Sequence, residues 1–127
     1  MSSKRVLIVD DEEAIRVLLQ RGFEYMAAEY AVTTATDGRE ALSEIWQQPF
    51  NLVVVDYNMP GLNGLELAQV IREAQPEAFI LLITGSYVPL VKEAVESVKI
   101  DACLEKPFGL SQFLAVVKQV EALQAVV

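Results

Sequence analysis

Short apolar runs recur along the chain at a regular interval. Val6–Val9, Ala31–Ala35, Leu52–Val55, Phe79–Ile83 and roughly Ala102–Leu104 each span only a few residues. Most are continuous rather than alternating, and several are rich in Val and Ile. Such runs predict strands covered on both faces, as in a parallel sheet. The last run is the shortest and is poor in β-branched residues.

Between these runs the apolar period changes. Ile15, Leu18, Leu19 and Met26 follow helical spacing, and so do Ala41, Leu42 and Ile45. The second group lies behind Asp37, with Glu40 three residues later, a capping-box arrangement. Leu65, Leu67, Ala68 and Ile71 predict a third helix, opened by Gly64 and stopped before Pro76. A fourth is predicted from about Pro89, because proline is tolerated in a first helical turn. A fifth runs from about Ser111 with Phe113, Leu114, Val117 and Val120 inward. Strand then helix, five times over, predicts a doubly wound α/β fold, with five parallel strands and helices on both faces. With no residue-level repeat and no Gly/Ser/Pro linker, residues 1–127 are expected to form a single domain.

Composition narrows the chemistry. The chain has one cysteine and no histidine. An intramolecular disulfide, a thiolate metal cluster, a His-ligated zinc, a Ser-His-Asp hydrolase and a phosphohistidine carrier are all excluded within it. A hydrophobic fraction of 53% argues against disorder. The formal charge of −8 disfavours direct contact with nucleic acid or an anionic membrane surface. The apolar runs fall far short of the ~18 residues of a membrane-spanning helix. Residues 1–5 lack the layout of a signal peptide. A cytoplasmic location is expected.

The polar residues that follow the strands carry the functional signal. Asp10 and Asp11 follow the first strand, Asp56 the third, Thr84 the fourth, and Lys106-Pro107 the fifth. Open α/β sheets bind ligands outside the carboxyl ends of their strands, so three acids, a hydroxyl and an ammonium should converge. Two carboxylates ~4 Å apart repel by ~1 kcal/mol in water and ~4 kcal/mol near a protein surface. Three therefore resist full ionisation unless a cation joins them. Hard oxygen ligands without His or Cys favour Mg2+, or the similar Mn2+. A carboxylate can act as nucleophile and form an aspartyl phosphate. A hydroxyl such as Thr84 can turn to bond the new phosphate, and Lys106 can meet it as a point charge.

Each residue taken alone has a plainer explanation. Asp11, ahead of Glu12 and Glu13, could cap a helix. Asp56 and the Asn58–Gly61 stretch could be turn chemistry, and Lys106 a solvated charge. Their coincidence on one sheet edge favours the functional reading. Cys103 is expected to be a small buried hydrophobe rather than a redox centre. Trp46, Met59 and Phe108 are expected to serve packing.

The strings VLIVDDE, VVVDYNMPGLNG, LLITG and LEKPF, in this order and spacing, resemble the receiver domains of two-component response regulators over essentially the whole chain. The resemblance implies a flavodoxin-like sheet of order 2-1-3-4-5. It implies that Asp56 accepts a phosphoryl group from a sensor histidine kinase or phosphotransfer protein. It further implies Asp11 as a direct Mg2+ ligand, Asp10 acting through water, and Asn58 offering its backbone carbonyl to the metal. Thr84 becomes the switch hydroxyl, Lys106 the phosphate partner, and Lys106-Pro107 a cis bond. An output partner or domain and a phosphorylation-dependent dimer are also implied, neither identifiable from these residues. Two positions depart from the pattern. Cys103 stands where the family usually has an aromatic switch residue, so output should travel through backbone and loops instead. Lys99 and Ile100 replace the glycine that commonly ends the fourth helix, so that turn is expected to differ.

Two other functions remain to be weighed. A Mg2+-dependent phosphohydrolase of the haloacid-dehalogenase kind also uses an aspartyl phosphate, but normally has a second acid where Asn58 stands. A phosphorylation-independent binding module would leave the acidic pocket without a role.

Overall fold

Each apolar run becomes a strand, and the strands alternate faces. The computed structural model describes residues 4–26, 30–85 and 96–125. Five strands, β1 (Lys4–Val9), β2 (Tyr30–Ala35), β3 (Leu52–Asp56), β4 (Phe79–Thr84) and β5 (Ala102–Glu105), pair all-parallel in the order β2-β1-β3-β4-β5. Among the described residues four full helices accompany them: α1 (Glu13–Glu24), α2 (Gly38–Gln47), α3 (Gly64–Ala74) and α4 (Leu110–Ala125). The helix expected from about Pro89 begins outside the described residues, and residues 96–98 are helical.

Alternate side chains of the central strands point to opposite faces, as the pleat requires. Leu7, Val9, Val53, Val55, Ile80 and Leu82 pack against Ala41 and Ile45 of α2 and Leu67, Ala68 and Ile71 of α3. Val6, Ile8, Leu52, Val54, Leu81 and Ile83 pack against Leu19 and Phe23 of α1 and Phe113, Val117 and Val120 of α4. Burying each such side chain stabilises the fold by ~1.5–3 kcal/mol, so β1, β3 and β4 form a stiff base under their own carboxyl ends.

The helix starts follow local chemistry. Asp37 caps α2 through the Glu40 N–H at 2.9 Å. The Glu40 carboxylate pairs with the Thr36 hydroxyl. Asn63 caps α3, its Oδ1 accepting from Leu65 N and Glu66 N, both at 3.0 Å. Gly64 then sits so close to the loop that a Cβ would lie 2.4 Å from the Asp56 carbonyl oxygen. Only glycine lets α3 start against the chain leaving β3.

Several expectations need correcting. Leu18 is 38% exposed despite its helical spacing, and Met26 lies beyond the end of α1. Trp46 is 68% exposed and is not core packing. Cys103 is also exposed. On edge strand β5 burial alternates, with Ala102 and Leu104 turned inward. The turn after residues 96–98 keeps the left-handed conformation with lysine in glycine's place, Lys99 at φ 63°. Arg72 anchors that turn, its Nε and Nη2 donating to the Lys99 carbonyl at 3.2 and 2.9 Å.

Candidate functional site

The strand ends are stitched together before any side chain is considered. Asp10 N–H donates to Ala35 O at 3.1 Å, Tyr57 N–H to Ile83 O at 2.7 Å, and Lys106 N–H to Thr84 O at 2.7 Å. Together with the parallel pairing of β1 with β3 and of β3 with β4, these backbone bonds fix Asp10, Asp56, Thr84 and Lys106 relative to one another. Asp10, Asp56 and Thr84 are each 1% exposed, the only buried polar or charged side chains among the described residues. The Lys106–Pro107 peptide is cis, and Phe108 stacks on Phe113 at 6.4 Å.

Asp10 is held at both of its ends. Its Oδ1 accepts the Glu12 N–H at 2.8 Å, and its backbone carbonyl accepts Arg16 Nη1 at 2.7 Å. Its Oδ2 is buried with no hydrogen-bond partner and lies 3.7 Å from Lys106 Nζ. Asp56 Oδ1 accepts the Asn58 N–H at 3.2 Å, while Oδ2 lies 3.5 Å from the same ammonium. Asp11 is exposed and does not cap α1. The N-cap is Glu12, whose side chain makes no cap bond.

One carboxylate oxygen each from Asp10, Asp11, Glu12 and Asp56 fall within 4.8 Å of one another. Burial pushes Asp10 up to about 6, with Asp56 and Glu12 adding to the rise against the Glu12 N–H bond and Lys106. Burial also raises Asp56, although Lys106 and the Asn58 N–H oppose it and Asp11 adds to it. For Lys106, burial alone would lower the ammonium, but the Glu12 hydrogen bond and the Asp10 and Asp56 charges outweigh it and raise it. A buried carboxylate oxygen without a partner, in an all-oxygen cluster, fits a hard divalent cation such as Mg2+.

Asp10, Asp11, Asp56, Thr84 and Lys106, expected from the sequence to share one rim, lie at the carboxyl ends of the strands. Asn58 is exposed beside them. Glu12, by its sequence position a helix-start acid, joins the cluster and binds Lys106 at 3.0 Å. Its place next to Asp10-Asp11 was the available signal.

The family model for the response regulator receiver domain matches residues 6–118. The chain belongs to the response-regulator receiver family. Among relatives, response regulator MprA of Mycolicibacterium vanbaalenii is 37% identical over 87% of this chain and 47% of its own length. The alkaline phosphatase synthesis transcriptional regulatory protein PhoP of Bacillus subtilis is 34% identical over 93% of this chain and 48% of its own. This receiver thus spans about half the length of the curated relatives it matches. Among solved structures, the chemotaxis protein CheY4 of Vibrio cholerae superposes with a TM-score of 0.85 at 30% identity, covering 94% of this receiver and 99% of that chain. A CheY-like receiver from Methanospirillum hungatei gives 0.90 at 27% identity, with 98% of each chain covered. Receivers of this kind are signalling switches rather than conventional enzymes. Among the described residues no helix is long and apolar enough to cross a membrane.

Proposed function

We propose that this receiver is a phosphorylation-activated switch whose acceptor is Asp56. The observation that carries the reading is a buried carboxylate, 1% exposed, with a lysine ammonium 3.5 Å away and further acids beside it. Mg2+, or Mn2+, would be held by Asp11, Asp56 and the Asn58 backbone carbonyl, with Asp10 acting through water. When bound, the ion supplies positive charge against the phosphoryl oxygens. An Asp56 oxygen forms the P–O bond as the P–N bond of a kinase phosphohistidine breaks, and the imidazole departs with the bonding pair. Lys106 neutralises the anionic product, and the Thr84 hydroxyl donates to one of its oxygens. Lys106 also assists transfer from small donors to Asp56. The phosphate is eventually lost when water attacks phosphorus and the P–O bond to Asp56 breaks, releasing inorganic phosphate and the free carboxylate.

On this reading the whole chain is one receiver unit, cytoplasmic, served by a sensor histidine kinase or phosphotransfer protein. Its output passes to a partner, a further domain or a phosphorylation-dependent dimer. With Cys103 at the usual aromatic position, the signal leaves through the backbone bonds that join Thr84 and Lys106.

Incubation with Mg2+ and acetyl phosphate should add one phosphate per chain, read by intact-mass spectrometry, and none to Asp56→Asn. An identical adduct on Asp56→Asn, or none on the natural chain, defeats the assignment. Multiple turnovers on phosphate monoesters would point to a hydrolase instead.

A further inference from the structure

Lys106 makes its best bond to a residue outside the buried pair. Its Nζ is 3.0 Å from Glu12 Oε1, against 3.5 Å from Asp56 Oδ2 and 3.7 Å from Asp10 Oδ2. Only the first is a normal charge-assisted hydrogen bond; the other two are at or beyond the limit. Glu12 is not a loosely tethered surface acid either. Its backbone N–H is fixed on Asp10 Oδ1, and its side chain is free of the capping work its N-cap position usually carries.

The phosphoryl reading of Asp56 gives this geometry a consequence. A ligand with phosphoryl-like oxygens on Asp56 needs the Lys106 ammonium turned towards it, whereas the resting chain points that ammonium at Glu12. We infer that Glu12 is a positioning residue: it holds Lys106 aside in the unphosphorylated receiver and yields it when Asp56 is loaded. The inference rests on Asp56 being the acceptor, and it makes Glu12 a brake on the loaded state. The Glu12 side chain is 59% exposed, and exposed ion pairs are weak. The brake should therefore be worth about three- to tenfold in affinity.

Beryllofluoride, a phosphoryl mimic, tests this by titration calorimetry on the full chain with Mg2+ saturating for every variant. Glu12→Gln should bind it about three- to tenfold more tightly than the natural chain. In a Lys106→Met background the same Glu12 change should have no effect, because the ammonium it competes for is gone. Glu12→Asp keeps the charge but withdraws it by one methylene, and should share most of the gain. A gain that survives in Lys106→Met would mean Glu12 acts through its charge on the ligand or the metal, and the inference fails. Unchanged or weaker binding by Glu12→Gln also overturns it. If the natural chain binds no beryllofluoride at all, the acceptor reading of Asp56 fails first and takes this one with it.

Discussion

The two ends of the sheet treat polar groups in opposite ways. At the carboxyl end, buried Asp10 and Asp56 crowd one ammonium, and Asp10 Oδ2 has no hydrogen-bond partner. At the amino end most polar side chains are densely bonded, with Gln124 Oε1 a buried exception. Arg72 donates to the carbonyls of Lys99, Pro76 and Ala78 and to Asp101 Oδ2 at 2.6 Å. Asp101 in turn accepts the Ile80 N–H at 2.8 Å. Gln75 bonds Phe50 N, Ile45 O and Gln48 O, and Asn51 accepts from Arg5 N and Gln124 Nε2. Buried polar groups cost stability when unpaired and little when satisfied. One end therefore anchors the fold, and the other holds excess negative charge that a hard divalent cation can offset.

The contrast can be broken most forcefully at the anchored end. Arg72→Met keeps the aliphatic stem but strips Asp101 and three carbonyls of their donor. Loss of such partly buried charge-assisted bonds should cost about 3 kcal/mol or more in urea unfolding. An effect under about 1 kcal/mol would show the anchor to be ornamental. Next comes Gly64→Ala, whose Cβ would meet the Asp56 carbonyl oxygen at 2.4 Å. It should destabilise by about 2–3 kcal/mol and weaken Mg2+ binding, because the strained backbone carries the Asp56 carboxylate.

At the charged end the sign reverses. Asp10 is lifted from 3.8 to about 6, so the folded chain holds this proton more tightly than the unfolded chain. The stabilisation from protonation is complete below the unfolded value and is lost as pH rises through about 6. In metal-free buffer, Asp10→Asn should therefore be more stable than the natural chain at neutral pH, by about 1–2 kcal/mol, with the gap closing under acid. A constant gap across pH would remove Asp10 from the imbalance. The smallest effect belongs to Lys99→Gly, which should stabilise by about 0.5–1 kcal/mol by relieving the positive φ.

How much of this could be read beforehand follows from what each feature depends on. The strands and the acids that end them were legible because burial on both faces leaves continuous apolar runs, and polar residues at their ends stand out. The Glu12–Lys106 bond joins residues 94 positions apart, and no local pattern pairs them. The Arg72 anchor was equally silent, since it reaches backbone carbonyls that any sequence supplies. Cys103 departs from the burial its residue type suggests because its place on an edge strand decides its exposure. The Lys99 turn kept its shape through bonds from α3 that spacing could not reveal.

The single tryptophan carries a practical consequence. Trp46 lies in the last turn of α2, largely open to solvent, on a helix that runs back from the carboxyl rim. Its intrinsic fluorescence should barely register occupancy of the acidic pocket. A marked shift in its emission would instead report another molecule settling against α2.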